Sequence, residues 1–351
     1  MGKLAVYKYF SFMLLVITLM TSVFTFIGLY GGYASPARET AMAIIVLMLP
    51  IFVIGNVVTL AIWLIRRRWH WAVIPFVTLL WCIPYIGTFY QPSLFSSNNP
   101  DKSNLTIASY NVALFGREVT GFKADDILSE MKDHKVDILC LQEFMEQSGD
   151  HDNTATYLNS FGHMAKGRDD MAVFSRYPIV QSGTITFGPS NNSAMWADIR
   201  VNNRVVRVFN VHLETTGINR TLHKAAKHQM QGAPDDRAAF LSAIYGNFVR
   251  GMAVRAVQAD TLARYTSASP HPVILCGDFN DVPYSYTYRT MKGNLVDAFT
   301  ECGSGLMSTL RGEKRFRIDY IFHDESLRGV NFFKMKLSYS DHDPIFLTLA
   351  F

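Results

Sequence analysis

Polar side chains able to bind a metal ion or carry a proton follow short apolar runs several times in the second half of the sequence. The groups are Ser109–Asn111, Gln142–Glu143, Asn210–Leu213, Gly277–Asp281, Arg317–Tyr320 and Ser340–Pro344. Each group alone has an ordinary explanation, because Asn and Asp are common turn residues and most loop carboxylates are only solvated. Their repetition points to one shared site, in which carboxylates, amides and histidines perform metal or acid–base chemistry.

The elements that must position these groups follow from the hydrophobic pattern of residues 104–351. Short runs rich in Val, Ile and aromatic residues alternate with amphipathic stretches, which is typical of a layered α/β protein. The predicted strands are Leu105–Val112, Val136–Gln142, Met171–Phe174, Met195–Val201, Val205–Val211, Val273–Cys276, Ile318–Phe322 and Ile345–Ala350. The predicted helices are Lys123–His134, about Asn153–Phe161 and about Ala238–Tyr265, and residues 217–236 are predicted as a loop. Hairpin-like pairs together with helical crossovers predict mixed sheets.

The order of these motifs resembles the endonuclease/exonuclease/phosphatase superfamily, the deoxyribonuclease-I-like metal-dependent phosphoesterases. The resemblance covers roughly residues 104–351, depends most on Asp278–Asn280 and Ser340–His342, and includes the stretch Phe174–Pro178. It implies a four-layer α/β sandwich, in which two mixed sheets lie face to face with helices outside them. The site is then expected at one end of the sandwich.

The resemblance also implies a divalent metal ion, Mg²⁺ or Mn²⁺. Such hard cations prefer oxygen ligands and keep several waters, so one or two carboxylates suffice to hold them. By resemblance Glu143 is the leading ligand, and Asn111 and Asp341 are the supporting ligands.

Five further residues receive catalytic roles from the resemblance. Asp278 is expected to orient or deprotonate the attacking water, and Asn280 to hydrogen-bond to the phosphoryl or attacking oxygen. His212 and His342 are expected to flank the phosphate and stabilise the charge that develops in the transition state. Asp319 is the carboxylate expected to keep His342 charged and oriented.

Three uncharged apolar runs occupy the first hundred residues, at about 10–30, 41–65 and 71–90. Each has about the 20 residues that a helix needs to cross a bilayer, so three transmembrane helices are predicted. They form a membrane anchor over residues 1–91, followed by a polar tether at 92–103 and the catalytic domain at 104–351. A cleaved signal peptide is the alternative for the first run, because the small-residue stretch Ala34–Ala37 follows it.

The net charge of +4 is unevenly distributed along the chain. Residues 1–100 contain six Lys and Arg and one Glu, whereas residues 101–351 contain 27 basic and 28 acidic residues. Lys3, Lys8 and Arg66–Arg68 flank the apolar runs on one side, so the positive-inside rule predicts a cytoplasmic N-terminus and an extracytoplasmic catalytic domain. The near-zero net charge of the domain weakens the hypothesis that it binds nucleic acid, because proteins that bind phosphate backbones cluster Lys and Arg on their surface.

These observations predict an integral membrane protein that is a membrane-tethered, divalent-metal-dependent hydrolase of phosphoester bonds. The tether and the charge favour a lipid head group or a small phosphoester as substrate, with the lipid bilayer as the partner of the N-terminal helices. An extracytoplasmic nuclease is the alternative within this class, and a catalytically inactive, membrane-anchored binding module is the alternative from another class. Arg255 and Gln258 on the long predicted helix either hold that helix or touch the substrate.

Overall fold

The computed structural model describes residues 3–93, 104–113, 124–144, 153–168, 170–188, 190, 192–216, 237–312 and 315–351. These residues form an N-terminal group of helices and an α/β domain. Most of the predicted tether and the whole predicted loop at 217–236 lie outside the described residues.

The N-terminal helices pack on one another through apolar faces that carry a few buried polar groups. The helices are α1 (Lys3–Gly31), α2 (Thr40–Leu47), α3 (Leu49–Ile65), α4 (Trp69–Trp81) and α5 (Ile83–Gly87). Asn56 accepts a hydrogen bond from Ser22 Oγ at 2.8 Å and donates one to Thr25 Oγ1 at 2.9 Å. Trp63 Nε1 donates to Thr18 Oγ1 at 3.0 Å. Interhelical hydrogen bonds of this kind hold α3 against α1 in one register.

The prediction of three transmembrane helices is wrong for the described residues, where α1 alone is long and apolar enough to cross a bilayer. Helices α2 and α3 meet that criterion only as a pair and are bent by 53°, while α4 has 13 residues. The breaks at Met48 and Cys82 are each followed two residues later by a proline, Pro50 and Pro84. Proline lacks an N–H and its ring collides with the preceding turn, so each apolar run is divided into two helices.

The α/β domain contains, over the described residues, two six-stranded sheets. The first sheet consists, in spatial order, of β13 (Arg328–Lys334), β14 (Ile345–Ala350), β2 (Asn104–Asn111), β3 (Ile138–Gln142), β5 (Met171–Ser175) and β4 (His163–Lys166). The second consists of β10 (Val296–Asp297), β12 (Asp319–His323), β9 (Val273–Asp278), β8 (Arg204–His212), β7 (Ser193–Val201) and β6 (Ile179–Thr186). The pairs β2–β3 and β8–β9 are parallel and the others are antiparallel, so the prediction of mixed sheets is confirmed.

The two sheets face each other across a shared core, with helices on their outer faces. Along β2, Leu105 and Ile107 pack into the core between the sheets, whereas Ala108 and Tyr110 pack outward, as the alternation of a strand requires. The outer helices are α6 (Ala124–Asp133) and α7 (Asn153–Phe161) on the first sheet, and α8 (Arg237–Ser267) and α9 (Tyr286–Lys292) on the second. A short helix, α10 (Ala298–Cys302), packs beside the core between the sheets. The result is an α/β arrangement of four layers.

The α/β domain is fastened to one end of the helix group. Arg289 Nη2 of α9 donates to the carbonyl oxygen of Leu29 near the end of α1, at 2.6 Å. Met307 N donates to the carbonyl oxygen of Phe89 at 2.7 Å, beside a short pairing of β1 (Tyr90–Gln91) with β11 (Gly305–Leu306). The domain therefore lies at the C-terminal ends of α1 and α5.

A buried ion pair strengthens this junction and leads to a stability prediction. Arg317 is fully buried, and its Nη2 and Nη1 lie 2.5 and 2.9 Å from the two carboxylate oxygens of Asp297. Arg317 Nη1 also donates to the carbonyl oxygen of Thr88 at 3.0 Å. Arg317→Met leaves the Asp297 carboxylate buried without its partner, so we expect the free energy of unfolding to fall by about 3–5 kcal/mol. Denaturation of the full chain in detergent measures this change.

The matched control is Arg315→Met. Arg315 is exposed and, like Arg317, lies in the segment just before β12. We expect that variant to stay within about 0.5 kcal/mol of the wild type. An Arg317→Met protein as stable as the control would show that the ion pair does not hold the junction.

Candidate active site

The two parallel strand pairs end at the same edge of the domain. Strands β2 and β3 end at the paired residues Asn111 and Gln142, and strands β8 and β9 end at the paired residues His212 and Asp278. Asn111 Nδ2 lies 3.1 Å from Asp278 Oδ2, so the two ends meet across the space between the sheets. Strands β12 and β14 run antiparallel to their neighbours and begin at this edge, where they bring Asp319 and the loop before β14.

Glu143 follows β3 directly and points its carboxylate into this space. Its backbone is left-handed, with φ 52°. This conformation is uncommon for residues other than glycine, and the residues that adopt it cluster at functional sites. Its side chain is 31% exposed, and its Oε1 accepts a hydrogen bond from Asn111 Nδ2 at 3.1 Å. The turn after β3 thus aims a carboxylate at the end of β2.

The strand ends described above line a cavity, and the third predicted metal ligand, Asp341, lies at its rim with an exposed side chain. Its loop is attached to β2, because Ser340 Oγ donates to the carbonyl oxygen of Asn111 at 2.7 Å. The structure therefore places Glu143 and Asn111 in direct contact and Asp341 beside them on the cavity wall.

The donor atoms at this edge suit a hard divalent cation. Glu143 Oε1 and Asp278 Oδ2 each lie 3.1 Å from the same amide nitrogen of Asn111, so two carboxylates converge at the cavity. Clustered carboxylate oxygens are the ligands that Mg²⁺ and Mn²⁺ prefer. A second acidic group, Asp278 with Asp319 and His342, has possible ligand atoms within 4.8 Å of one another. Because His342 Nδ1 is hydrogen-bonded to Asp319, we interpret that group as a proton-holding unit instead.

His342 and Asp319 form a buried, hydrogen-bonded pair. His342 Nδ1 lies 2.9 Å from Asp319 Oδ2, and its Nε2 lies 3.7 Å from Asp278 Oδ2. Burial lowers the pKa of His342, but the carboxylates of Asp319 and Asp278 outweigh burial and raise the pKa to about 10. Thr309 Oγ1 accepts a hydrogen bond from the backbone N–H of Asp319 at 3.1 Å and fixes the start of β12. The imidazole is therefore a cation at neutral pH, with Nε2 directed at the site.

His212 is the counterpart of His342 on the other side of Asp278. Its Nε2 lies 3.7 Å from Glu143 Oε1 and 4.0 Å from Asp278 Oδ2. Its Nδ1 lies 3.3 Å from Asp170 Oδ2. Burial lowers the pKa of His212, but the carboxylates of Asp170, Asp278 and Glu143 outweigh burial, and the net direction is upward.

The sequence interpretation missed Asp170. This residue directly precedes β5, which pairs antiparallel with β3 and therefore begins where β3 ends. The signal that was available is a carboxylate at the start of a predicted strand whose far end carries the Phe174–Pro178 stretch.

Asp278 lies at the centre of the site, between the two histidines. Its Oδ1 accepts a hydrogen bond from the backbone N–H of Asn280 at 2.8 Å, and Asn280 Nδ2 donates to the carbonyl oxygen of Leu213 at 3.0 Å. Burial raises the pKa of Asp278, while the nearby imidazoles of His342 and His212 oppose that rise. The preceding Gly277 has φ 135°, and a Cβ there would lie 1.9 Å from the carbonyl oxygen of Val211, so only glycine fits.

Two buried amides brace the two sheets beneath the site. Gln142 Nε2 donates to Asn210 Oδ1 at 2.6 Å. Asn210 Nδ2 in turn donates to the carbonyl oxygens of Leu141 and Ala172 at 2.9 and 3.0 Å. These bonds cross from β8 to β3 and β5 and fix the distance between the two halves of the site.

Comparison with known proteins gives a family match for most of the α/β domain. A family model described as the Endonuclease/Exonuclease/phosphatase family matches residues 108–342, and one described as a domain of unknown function matches residues 11–89. No curated protein matches the sequence.

Several solved structures are similar to this chain. An endonuclease/exonuclease/phosphatase from Bacteroides vulgatus has a TM-score of 0.52 and 16% identity, over 71% of this chain and 99% of its own. One from Beutenbergia cavernae has a TM-score of 0.51 and 18% identity, over 71% of this chain and 72% of its own. TDP2 from D. rerio, complexed with single strand DNA product, has a TM-score of 0.50 and 16% identity, over 70% of this chain and 99% of its own. At such identities the likeness shows the fold alone.

Proposed function

This chain belongs to the endonuclease/exonuclease/phosphatase family of phosphoester hydrolases, and from that premise we propose that it is a membrane-anchored, divalent-metal-dependent phosphoesterase with an extracytoplasmic catalytic domain. One observation carries the catalytic part of this proposal. Two buried histidines, each held by a carboxylate, direct Nε2 toward Asp278 from 3.7 and 4.0 Å, beside the Glu143 carboxylate and the Asn111 amide that donates to it.

The catalytic roles follow from the charges around Asp278. In-line attack on phosphorus requires an oriented water that loses a proton, and Asp278 is the buried carboxylate able to accept it. Asn280 holds Asp278 and donates to the attacking or phosphoryl oxygen. The imidazolium of His342 and the ring N–H of His212 donate to phosphoryl oxygens as negative charge develops there.

Glu143 and Asn111, with Asp341 at the rim, are the residues that would hold Mg²⁺ or Mn²⁺. A divalent cation bound there supplies positive charge to the phosphoryl oxygens. The side chain of Glu143 contributes the charge that retains the cation, and its left-handed backbone at φ 52° keeps the carboxylate turned toward the cavity.

Hydrolysis of a panel of phosphoesters by the purified full chain tests the function. The panel contains p-nitrophenyl phosphate, bis(p-nitrophenyl) phosphate, and single- and double-stranded DNA. We expect Mg²⁺-dependent hydrolysis of at least one chromogenic ester that excess chelator removes. Hydrolysis of DNA in preference to both would favour the nuclease alternative, which the near-zero charge of residues 101–351 disfavours. Absence of any hydrolysis would favour a binding module.

Exposed apolar side chains on the N-terminal helices support the membrane anchor. Phe12 on α1, Ile54 on α3 and Val73 on α4 are 62%, 62% and 55% exposed, among many similar neighbours. Soluble proteins rarely expose contiguous apolar surface of this extent, which marks contact with a membrane or a partner. We infer that α1 spans the bilayer and that the other helices pack beside it in lipid. The bond from Arg289 to Leu29 supports retention of α1 over its removal as a signal peptide.

The position of the basic residues supports the proposed orientation of the chain in the membrane. This argument does not depend on how many of the helices after α1 cross the bilayer. Arg66 Nη2 donates to Ser11 Oγ at 2.7 Å, and its guanidinium lies 4.3 Å from the ring centroid of Tyr7. Arg66–Arg68 therefore share one end of the helix group with Lys8, opposite to the end that carries the α/β domain. With the basic end in the cytoplasm, the domain lies outside.

Reporters at the two ends of the full chain measure this orientation. Alkaline phosphatase joined after Phe351 should be active, and green fluorescent protein joined at the same place should be dark, because each folds on one side of the membrane only. The same two reporters joined before Met1 provide the control and should give the reverse result. A fluorescent fusion after Phe351 would contradict the proposed orientation.

A further inference from the structure

The cavity that contains the catalytic residues extends to the N-terminal helices. It has a volume of about 700 Å³, and one end is lined by Glu143, Asp278 and His342. Its other end is lined by Ala43 and Leu47 of α2 and by the turn that follows α1. One continuous space therefore joins a site for phosphoester chemistry to the helices proposed to lie in the membrane.

The end of the cavity at the helices is apolar and built partly from small residues. On α2, Ala43, Val46 and Leu47 contribute its wall, and Phe248 and Met252 of α8 contribute the facing wall. Helix α2 is an eight-residue helix without a charged side chain, and it packs against α8. Gly31, Gly32, Ala34 and Pro36 complete this end. Such a wall suits hydrocarbon.

A polar residue marks the change from one end of the cavity to the other. Arg255 of α8 lines the cavity and is buried, with its Nη1 donating to the carbonyl oxygen of Glu214 at 2.9 Å and its Nε 3.4 Å from Asp281 Oδ2. Beyond Arg255 toward the site, the lining contains the carboxylates and imidazoles described above, with the apolar residues Leu310 and Ile318 beside them. A ligand that fits this cavity is polar where it meets Asp278 and apolar where it meets α2.

We propose that this cavity takes a lipid-linked phosphoester, with its phosphate at the catalytic residues and its hydrocarbon chain against α2 and the turn after α1. The inference deepens the proposed function and rests on it. Helix α2 follows the C-terminal end of α1, which is the outer end in the proposed orientation. The chain of such a substrate reaches the cavity from the bilayer surface, so the N-terminal helices form part of the substrate site as well as an anchor.

Two pairs of probes that differ only in the hydrocarbon chain test this inference on the full chain in detergent micelles of fixed concentration. The diester pair is methyl and hexadecyl p-nitrophenyl phosphate, which share the leaving group, and the monoester pair is methyl and hexadecyl phosphate. Because burial of each methylene strengthens binding, we expect kcat/KM for the hexadecyl member to exceed that for the methyl member by at least about tenfold. The difference should lie mainly in KM.

A pair of variants on α2 tests where the hydrocarbon chain of the substrate binds. Ala43→Trp places a large ring in the apolar end, so we expect the hexadecyl-to-methyl ratio of kcat/KM to fall by about tenfold. Ala41→Trp makes the same change on the exposed side of the same helix and should leave the ratio at the wild-type value.

The outcomes separate this inference from the proposed function. Equal kcat/KM for both members of the hydrolysed pair in the wild type would overturn the inference and leave the phosphoesterase in place. A wild-type preference that Ala43→Trp and Ala41→Trp alter equally would also overturn it. Hydrolysis of no member of either pair would overturn the inference, and it would overturn the proposed function as well if p-nitrophenyl phosphate and bis(p-nitrophenyl) phosphate were also left intact.

Discussion

Glu143→Gln is expected to lose at least about 10²–10³-fold in turnover, because it removes the charge that retains the divalent cation while keeping the side-chain shape. The side chain is partly exposed in the cavity, so the substitution leaves no large void in the core. Initial rates with bis(p-nitrophenyl) phosphate over a range of Mg²⁺ concentrations measure the loss, and circular dichroism reports whether the fold is kept.

Glu325→Gln is the matched control for this variant. Glu325 is exposed in the turn between β12 and β13, and its substitution should leave the rate and the Mg²⁺ dependence unchanged. Full activity of Glu143→Gln, or of the wild type in excess chelator, would contradict the metal-dependent account.

The second large effect is expected at the buried pair of His342 and Asp319. His342→Ala removes a positively charged donor to the transition state and should lower turnover by at least about 10²–10³-fold. Asp319→Asn removes the carboxylate that holds the imidazole, 2.9 Å from its Nδ1, and should cost a comparable or smaller factor. Because the two residues act as one unit, the double variant should be little worse than His342→Ala alone.

A second histidine–carboxylate pair, with a buried imidazole and a partly exposed carboxylate, provides the control. His323 Nε2 lies 2.8 Å from Glu301 Oε2 on the far end of β12, away from the catalytic cavity. His323→Ala and Glu301→Gln should lower stability but not turnover per folded molecule. Multiplicative rate losses at His342 and Asp319, or an Asp319→Asn variant that loses only stability, would refute the coupled pair.

The sheets and the edge that carries the site were predictable because buried strands leave a strong local signal. Strands such as β3 and β9 are apolar on both faces and end at polar residues, which marks both the strand and its end. The edge strands β4, β6 and β13 were not predicted. Most of their residues are at least partly exposed, so apolar and polar residues do not alternate clearly along them. The prediction of mixed sheets required only the central strands.

The residues misjudged within the domain depend on contacts distant in sequence. Asp170 approaches His212 because β5 returns antiparallel beside β3, and no local pattern encodes that pairing. Arg317 stands in a motif selected for its chemistry, yet its guanidinium is buried against Asp297 and helps to hold the junction with α5. Nothing in the local sequence distinguishes either residue from its neighbours.

The N-terminal helices illustrate the limit of hydropathy. The apolar runs at 41–65 and 71–90 are long enough to cross a bilayer, but Pro50 and Pro84 divide them. The contribution of α2 to the catalytic cavity depends on contacts of α9 with the end of α1, which join segments about two hundred and sixty residues apart. Such contacts follow from the assembled structure and leave no periodic signal.

The central claim is that Asp278 and its flanking histidines direct a water onto phosphorus, and hydrolysis in water enriched in ¹⁸O tests it most directly. With bis(p-nitrophenyl) phosphate, in-line attack forms a bond from the water oxygen to phosphorus and breaks the bond from phosphorus to the leaving oxygen. Mass spectrometry should then find one ¹⁸O atom in p-nitrophenyl phosphate and none in p-nitrophenol. Label in p-nitrophenol, or an unlabelled phosphoryl product, would contradict the account.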